Sequence, residues 1–177
     1  MSRKPASLAV AICLMTLAAG ALVHGVTSAQ SSDKPLPAPA LALRTIDGKN
    51  LSHDELRGKV VLINFWATWC SPCRAEIPWL VNLQNRYRDH LIIVGLSLDE
   101  GPPDAVKNFA SALRMNYPIA IVGEEVAHAF GEMIGLPTTY LIDRTGRVVS
   151  RHAGLLGPES LEREVRALAG HVTQYPG

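Results

Sequence analysis

A chain of 177 residues is long enough for one well-packed domain and too short for two of ordinary size. Seventeen Lys plus Arg against sixteen Asp plus Glu leave a formal charge of +1, and no basic run has the footprint of a nucleic-acid binder, which argues against nucleic acid as a partner. With only one cysteine pair beside a sizeable core, the fold has no need of a disulfide framework, so that pair is expected to serve chemistry.

Residues 1–29 differ in composition from the rest. Arg3 and Lys4 precede an uncharged stretch from Ala6 to Val23, followed by Val26-Thr27-Ser28-Ala29, which together read as an export signal. Two fates fit. Thr27 and Ala29 suit the small positions of a cleavage site, while the stretch 6–23 reaches the lower length of a spanning helix and would serve as a membrane anchor. Cys13 lies in mid-stretch behind the bulky Ile12, unlike a lipid-attachment site, and reads as a small apolar filler. Residues 30–40 are Pro-rich and aperiodic, an extended spacer, and residues 41–177 are expected to form the domain.

Leu41–Arg44 and Asn50–Ser52 flank Asp47-Gly48, which predicts a short hairpin. The apolar run from Val60 to Ala67 reads as a buried strand, and Trp69-Cys70-Ser71-Pro72-Cys73 follows at the switch into a helix. Cys70 would then sit among unpaired N–H groups at the positive end of the helix dipole, where a thiolate is stabilised. Thiols in such positions are lowered from ~8.5 to between ~3.5 and ~7.5, each unit being about 1.4 kcal/mol in favour of the anion. Cys70 is therefore expected to attack, Pro72 suits the first helical turn, and Cys73 follows on the inner side as the resolving thiol. A zinc site would need two further ligands, and the remaining cysteine is the distant Cys13. A structural disulfide closing so short a loop would constrain the unfolded chain little.

The helix is predicted over residues 73–88, with Ile77, Leu80, Val81 and Tyr87 on its apolar face and a kink at Pro78. Leu91–Leu98 is a second apolar strand, so the two strands and their helix form a parallel βαβ unit. A helix carrying Val106, Phe109, Ala110 and Leu113, a strand over 118–122 and a short helix over 124–131 follow. Gly135 to Asp143 leads into a strand, Arg144-Thr145-Gly146 turns it into a partner over 147–151, and Gly157-Pro158 opens a last helix packed through Leu161, Val165 and Leu168. The fold class is α/β, with helices on both faces of a central sheet.

The segment Asn64-Phe65-Trp66-Ala67-Thr68-Trp69-Cys70-Ser71-Pro72-Cys73, the segment Gly135-Leu136-Pro137-Thr138-Thr139-Tyr140-Leu141-Ile142-Asp143 some sixty residues later, and the insertion between them resemble the thioredoxin superfamily. Within it, the exported thiol-disulfide oxidoreductases similar to TlpA and ResA share this pattern over roughly residues 41–170. The resemblance implies a thioredoxin fold with an N-terminal hairpin and a central αβ insertion. It also implies a cis Pro137 facing the Cys70 sulfur, with the Leu136 backbone offered to an incoming peptide as an added strand. From the residues alone, Pro137 reads as an ordinary trans proline.

Thioredoxins proper carry a buried Asp where this chain has Asn64, which cannot take a proton. Glu76 lies one turn beyond Cys73, and the branch similar to ResA has a glutamate there, so Glu76 is the expected proton carrier; a solvated helix glutamate is the plain alternative. Thr138 replaces the Glu usual after the proline in the cytochrome-maturation branch similar to CcmG. Trp66 reads as core and Trp69 as an apolar rim for substrate. The candidate site is thus Cys70, Cys73 and Glu76 for chemistry, with Trp69, Leu136, Pro137 and Thr138 for substrate. No cofactor is expected, and the histidines show no ligand spacing.

The function so implied is reduction of disulfides in exported proteins, such as apocytochrome c or copper-site assembly proteins, with electrons from a membrane-bound thiol donor. Two rivals use the same cysteines. A Cu(I)-binding module would suit two soft thiolates but has no Met-rich or His-rich stretch beside it. A thiol peroxidase of related fold would carry Pro-x3-Thr-x2-Cys, and position 63 is Ile where that proline belongs.

Overall fold

The computed structural model describes residues 35–131 and 133–170. The signal or anchor over 1–29 and Cys13 within it lie outside the described residues.

The central strand is β3 (Val60–Trp66), buried at every position because both of its faces are covered. Its even-numbered residues Val60, Leu62 and Trp66 pack on one side and its odd-numbered Val61, Ile63 and Phe65 on the other, the period-2 alternation of a strand feeding two cores. Parallel to it runs β4 (Leu91–Ser97), in register from Val60 opposite Leu91 to Trp66 opposite Ser97. Helix α2 (Ser71–Tyr87) makes the crossover, burying Cys73, Glu76, Ile77, Leu80, Leu83 and Tyr87. It continues through Pro78 without a break.

Helix α3 (Pro103–Ala112) leads to the short β5 (Ile119–Ile121), parallel to β4. Helix α4 (Glu124–Ala129) precedes β6 (Thr138–Ile142), which runs antiparallel to β3, and β7 (Val148–Ala153) pairs antiparallel with β6. The sheet order is β5-β4-β3-β6-β7. Helix α5 (Pro158–Ala169) covers the α2 side through Leu161, Val165 and Ala169. The hairpin β1 (Ala42–Arg44) and β2 (Asn50–Ser52) forms its own small sheet, as expected, and is tied to β5 by a bridge between Thr45 and Ala120.

Three local features depart from the sequence reading. A single helical turn, α1 (His53–Leu56), follows the hairpin, and its signal was present: Glu55 Oε2 accepts from Ser52 N at 2.7 Å, half of a Ser-x-x-Glu capping box. Helix α2 starts at Ser71 rather than Cys73, because Cys70 itself takes the N-cap position. The end of the expected spacer is attached to the sheet: Val148 N donates to Leu36 O and Ala38 N to Gly146 O, both at 2.9 Å. An edge strand such as β7 leaves a row of backbone groups unpaired, and residues 36–38 fill part of that row.

Candidate active site

The chain leaves β3 at Trp66 and turns through Ala67, Thr68 and Trp69 into α2. Asp99, just past β4, holds that turn by accepting from Thr68 N at 2.9 Å, from the Thr68 hydroxyl and from Ser97 Oγ at 2.7 Å. Sequence reasoning missed this clamp, since it depends on the parallel register that sets the two strand ends side by side.

Cys70 and Cys73 are joined in a disulfide. Cys70 Sγ accepts from Cys73 N at 3.3 Å, so the sulfur takes up one of the orphan donors of the first turn, the environment that favours a thiolate on reduction. Cys73 is fully buried and Cys70 is only 5 % exposed, beside Trp69, which is 70 % exposed. Trp66 is fully buried core, stacked on Phe109 at 5.3 Å.

Glu76 lies beneath the pair, one turn after Cys73 and only 2 % exposed. The solvated-glutamate alternative is thereby removed. Its Oε1 accepts from Asn64 Nδ2 at 2.7 Å, and the same amide donates to Thr139 Oγ1 at 3.1 Å. Burial pushes the carboxyl up to about 7, only partly opposed by the Asn64 donor. A group with that affinity is divided between acid and base near neutral pH and can accept or release a proton there.

The Leu136-Pro137 bond is cis. Thr138 pairs with Phe65, so the antiparallel register places residues 135–137 beyond the same end of β3 from which Cys70 emerges. Pro137 O accepts from Gly154 N at 2.7 Å, while none of the hydrogen bonds among the described residues involves the Leu136 backbone. Thr138 requires a correction as a substrate contact. Its side chain is fully buried and its hydroxyl donates to Gly135 O at 2.6 Å, so it shapes the proline loop from below. Two exposed apolar residues that sequence reasoning passed over lie beside this loop: Ile134 (78 % exposed) directly precedes it, and Leu155 (56 %) follows Gly154, the donor to Pro137 O.

Among the described residues no group of three or more His, Cys, Asp or Glu is placed to hold a metal ion. His152 Nε2 lies 3.0 Å from Glu164 Oε2.

The AhpC/TSA family model matches residues 36–151. The thioredoxin-like protein YneN of Bacillus subtilis is 34 % identical over 130 residues, covering 72 % of this chain and 76 % of that one. The thiol-disulfide oxidoreductase ResA of Bacillus thuringiensis is 38 % identical over 128 residues, covering 71 % and 72 % respectively. A crystal structure of a thioredoxin-family thiol:disulfide interchange protein from Chlorobium tepidum superimposes with a TM-score of 0.72 at 34 % identity, over 77 % of this chain and 98 % of that one. With a disulfide at a helix start and a cis-proline loop at the same end of the sheet, the chain belongs to the AhpC/TSA thioredoxin-like family, as a thiol-disulfide oxidoreductase of the ResA type.

Proposed function

We propose that the Cys70-Cys73 pair reduces disulfides of exported proteins, with Cys70 attacking, Cys73 resolving and Glu76 carrying the Cys73 proton. The observation that supports this reading is the asymmetry of the pair: the Cys70 sulfur caps α2 beside an exposed tryptophan, whereas Cys73 is fully buried one turn before the buried Glu76.

In the reduced protein, the Cys70 thiolate attacks a substrate disulfide and forms a mixed disulfide, and the departing substrate thiolate takes a proton from solvent. Cys73 then gives its proton to the Glu76 carboxylate, and its sulfur displaces the second substrate thiolate from Cys70. Two electrons pass to the substrate, and the Cys70-Cys73 disulfide is left. A thiol donor, held at the membrane in this reading, returns the electrons. Trp69 gives the substrate an apolar wall, and the Leu136 backbone beside Pro137, which has no hydrogen-bond partner among the described residues, suits an extended peptide laid down as an extra strand.

The substrates proposed are exported proteins with cysteine pairs, of the apocytochrome c or copper-site assembly kind. Residues 1–29 would direct export and either be cleaved or anchor the domain in the inner membrane. The test is a Cys73→Ala variant of the full chain in the exported compartment. It should accumulate mixed disulfides on Cys70, and the trapped proteins name the substrates. Trapping by Cys70→Ala and none by Cys73→Ala would reverse the assigned roles.

A further inference from the structure

The Asn64 amide is held at one end only. Its Nδ2 donates to Glu76 Oε1 at 2.7 Å and to Thr139 Oγ1 at 3.1 Å, while its buried Oδ1 has no protein partner. Thr139 stands directly opposite Asn64 in the antiparallel register of β3 and β6, which brings the two side chains together on one face of the sheet. On the other flank, Asn64 stands opposite Gly95 of β4, which offers no side chain. A Cβ there would lie 3.0 Å from Trp66 Nε1 and 3.2 Å from Tyr117 Cε2, so the indole and the phenol ring occupy that room. Of the two strand neighbours, Thr139 alone supplies Asn64 with a polar side chain.

We propose that Thr139 is a positioning residue for the proton step: by accepting the second N–H of Asn64 it fixes the plane of the amide and keeps its donor end on Glu76. Two hydrogen bonds hold that plane, and only one of them is constant. The bond to Glu76 weakens whenever the carboxylate takes up a proton, because a hydrogen bond to an ionised acceptor is roughly twice as strong as one between neutral groups. The bond to Thr139 carries no charge and does not change. With Oδ1 unpartnered, no other hydrogen bond among the described residues stops the amide from turning that oxygen toward the carboxyl, an arrangement that suits the protonated acid and opposes the anion.

The catalytic consequence rests on Glu76 being the proton carrier. Asn64 occupies Oε1, and Oε2 has no hydrogen-bond partner among the described residues, which leaves Oε2 to take the proton. In the step, the Cys73 S–H bond breaks, an O–H bond forms at Oε2, and the sulfur keeps the electron pair with which it attacks Cys70. Among the described residues Glu76 is the one buried charged side chain. The titratable groups in the same core cluster are Cys70, Cys73 and Tyr87 around α2 and Tyr117 ahead of β5, while β3, β4, β6, α3 and α5 bring none to it. Arg74 is exposed, its guanidinium over the Phe109 ring at 5.6 Å.

Thr139→Val keeps the shape of the side chain and removes the hydroxyl, whereas Thr139→Ser keeps the hydroxyl. Glu76 is titrated directly in the oxidised full chain, where neither thiol ionises, by NMR of its carboxyl carbon, assigned through its absence in Glu76→Gln. The parent midpoint is expected at about 7. Thr139→Val should raise it by about one unit, Thr139→Ala, which also lacks the acceptor, should do the same, and Thr139→Ser should keep the parent value. In a single turnover of the reduced protein with a small disulfide, Thr139→Val should then slow the resolving step roughly fivefold at pH 7, where the ionised fraction of Glu76 drops from about one half to about one tenth, and match the parent at pH 9. A midpoint in Thr139→Val at or below the parent's, an equal rise in Thr139→Ser, or a slowing of the same size at every pH would each overturn the positioning role. A raised midpoint with the parent's resolving rate at pH 7 would instead sustain the hold on the amide and remove Glu76 as the proton carrier.

Discussion

Asn64 Nδ2 lies 2.7 Å from Glu76 Oε1, linking the middle of β3 to the face of α2 one turn past the inner thiol. This donor favours the ionised carboxyl, yet the cost of burial outweighs it and the group is held near 7. Where the superfamily's usual acid would stand, the chain has an amide that cannot titrate but can orient one that does.

Changing Glu76 to Gln should therefore alter the ionisation of Cys73 much more than that of Cys70. Alkylation rates against pH, measured on each single-cysteine variant with and without the substitution, provide the check. Superimposable Cys73 curves would leave Glu76 with no part in handling the thiol proton.

The same carboxyl makes stability depend on pH. The folded group titrates near 7 and the ordinary one near 4.5, so between these values the folded state holds the extra proton. Stability should fall as pH rises through that window and level off above it, by roughly 3 kcal/mol at most. Urea unfolding of the oxidised protein should show Glu76→Gln gaining on the parent from pH 5 to pH 8, with the two alike at pH 4. Parallel curves across the whole range would contradict the raised affinity.

Direction of electron flow follows from how little stabilises the Cys70 thiolate beyond the helix start. Ser71-Pro72 brings no cation between the cysteines, and the Arg74 guanidinium is engaged over Phe109. The potential should lie nearer to thioredoxin's, about −270 mV, than to DsbA's, about −120 mV, a gap of roughly 7 kcal/mol for two electrons. Equilibration with glutathione, read by tryptophan fluorescence, measures it. A value above about −160 mV would make the protein an oxidant.

Fractionation of the full chain expressed in a bacterium, with N-terminal sequencing of the product, decides the fate of residues 1–29. Retention in the membrane is expected, because the apolar stretch 6–23 is long for a signal and a Pro-rich segment follows it. A soluble exported product beginning at Gln30 would show cleavage instead.

Much of the fold was legible because its signals are local. The run from Val60 to Trp66 is apolar on both faces except at Asn64, the pattern of a doubly covered strand, and the turn and cap residues between segments set the order of elements. The cysteine pair was legible for the same reason: four consecutive residues at a strand-to-helix switch hold both sulfurs. Element ends were less legible. Nothing in the spacer's composition showed that residues 36–38 would pair beside β7, since that pairing depends on an edge left open by strands more than a hundred residues later.

By itself, the sequence determined the strand, the helix start and the two sulfurs, all of which follow from neighbours within a few positions. Only the tertiary structure decided that Glu76 is buried, that Asn64 reaches both it, 12 residues on, and Thr139, 75 residues on, that Thr138 turns inward, and that Gly95 opens the space taken up by Trp66 and Tyr117. A helical spacing says which residues share a face. Whether that face meets water or another layer, and what it costs to put a charge there, is set by packing between segments far apart in the chain.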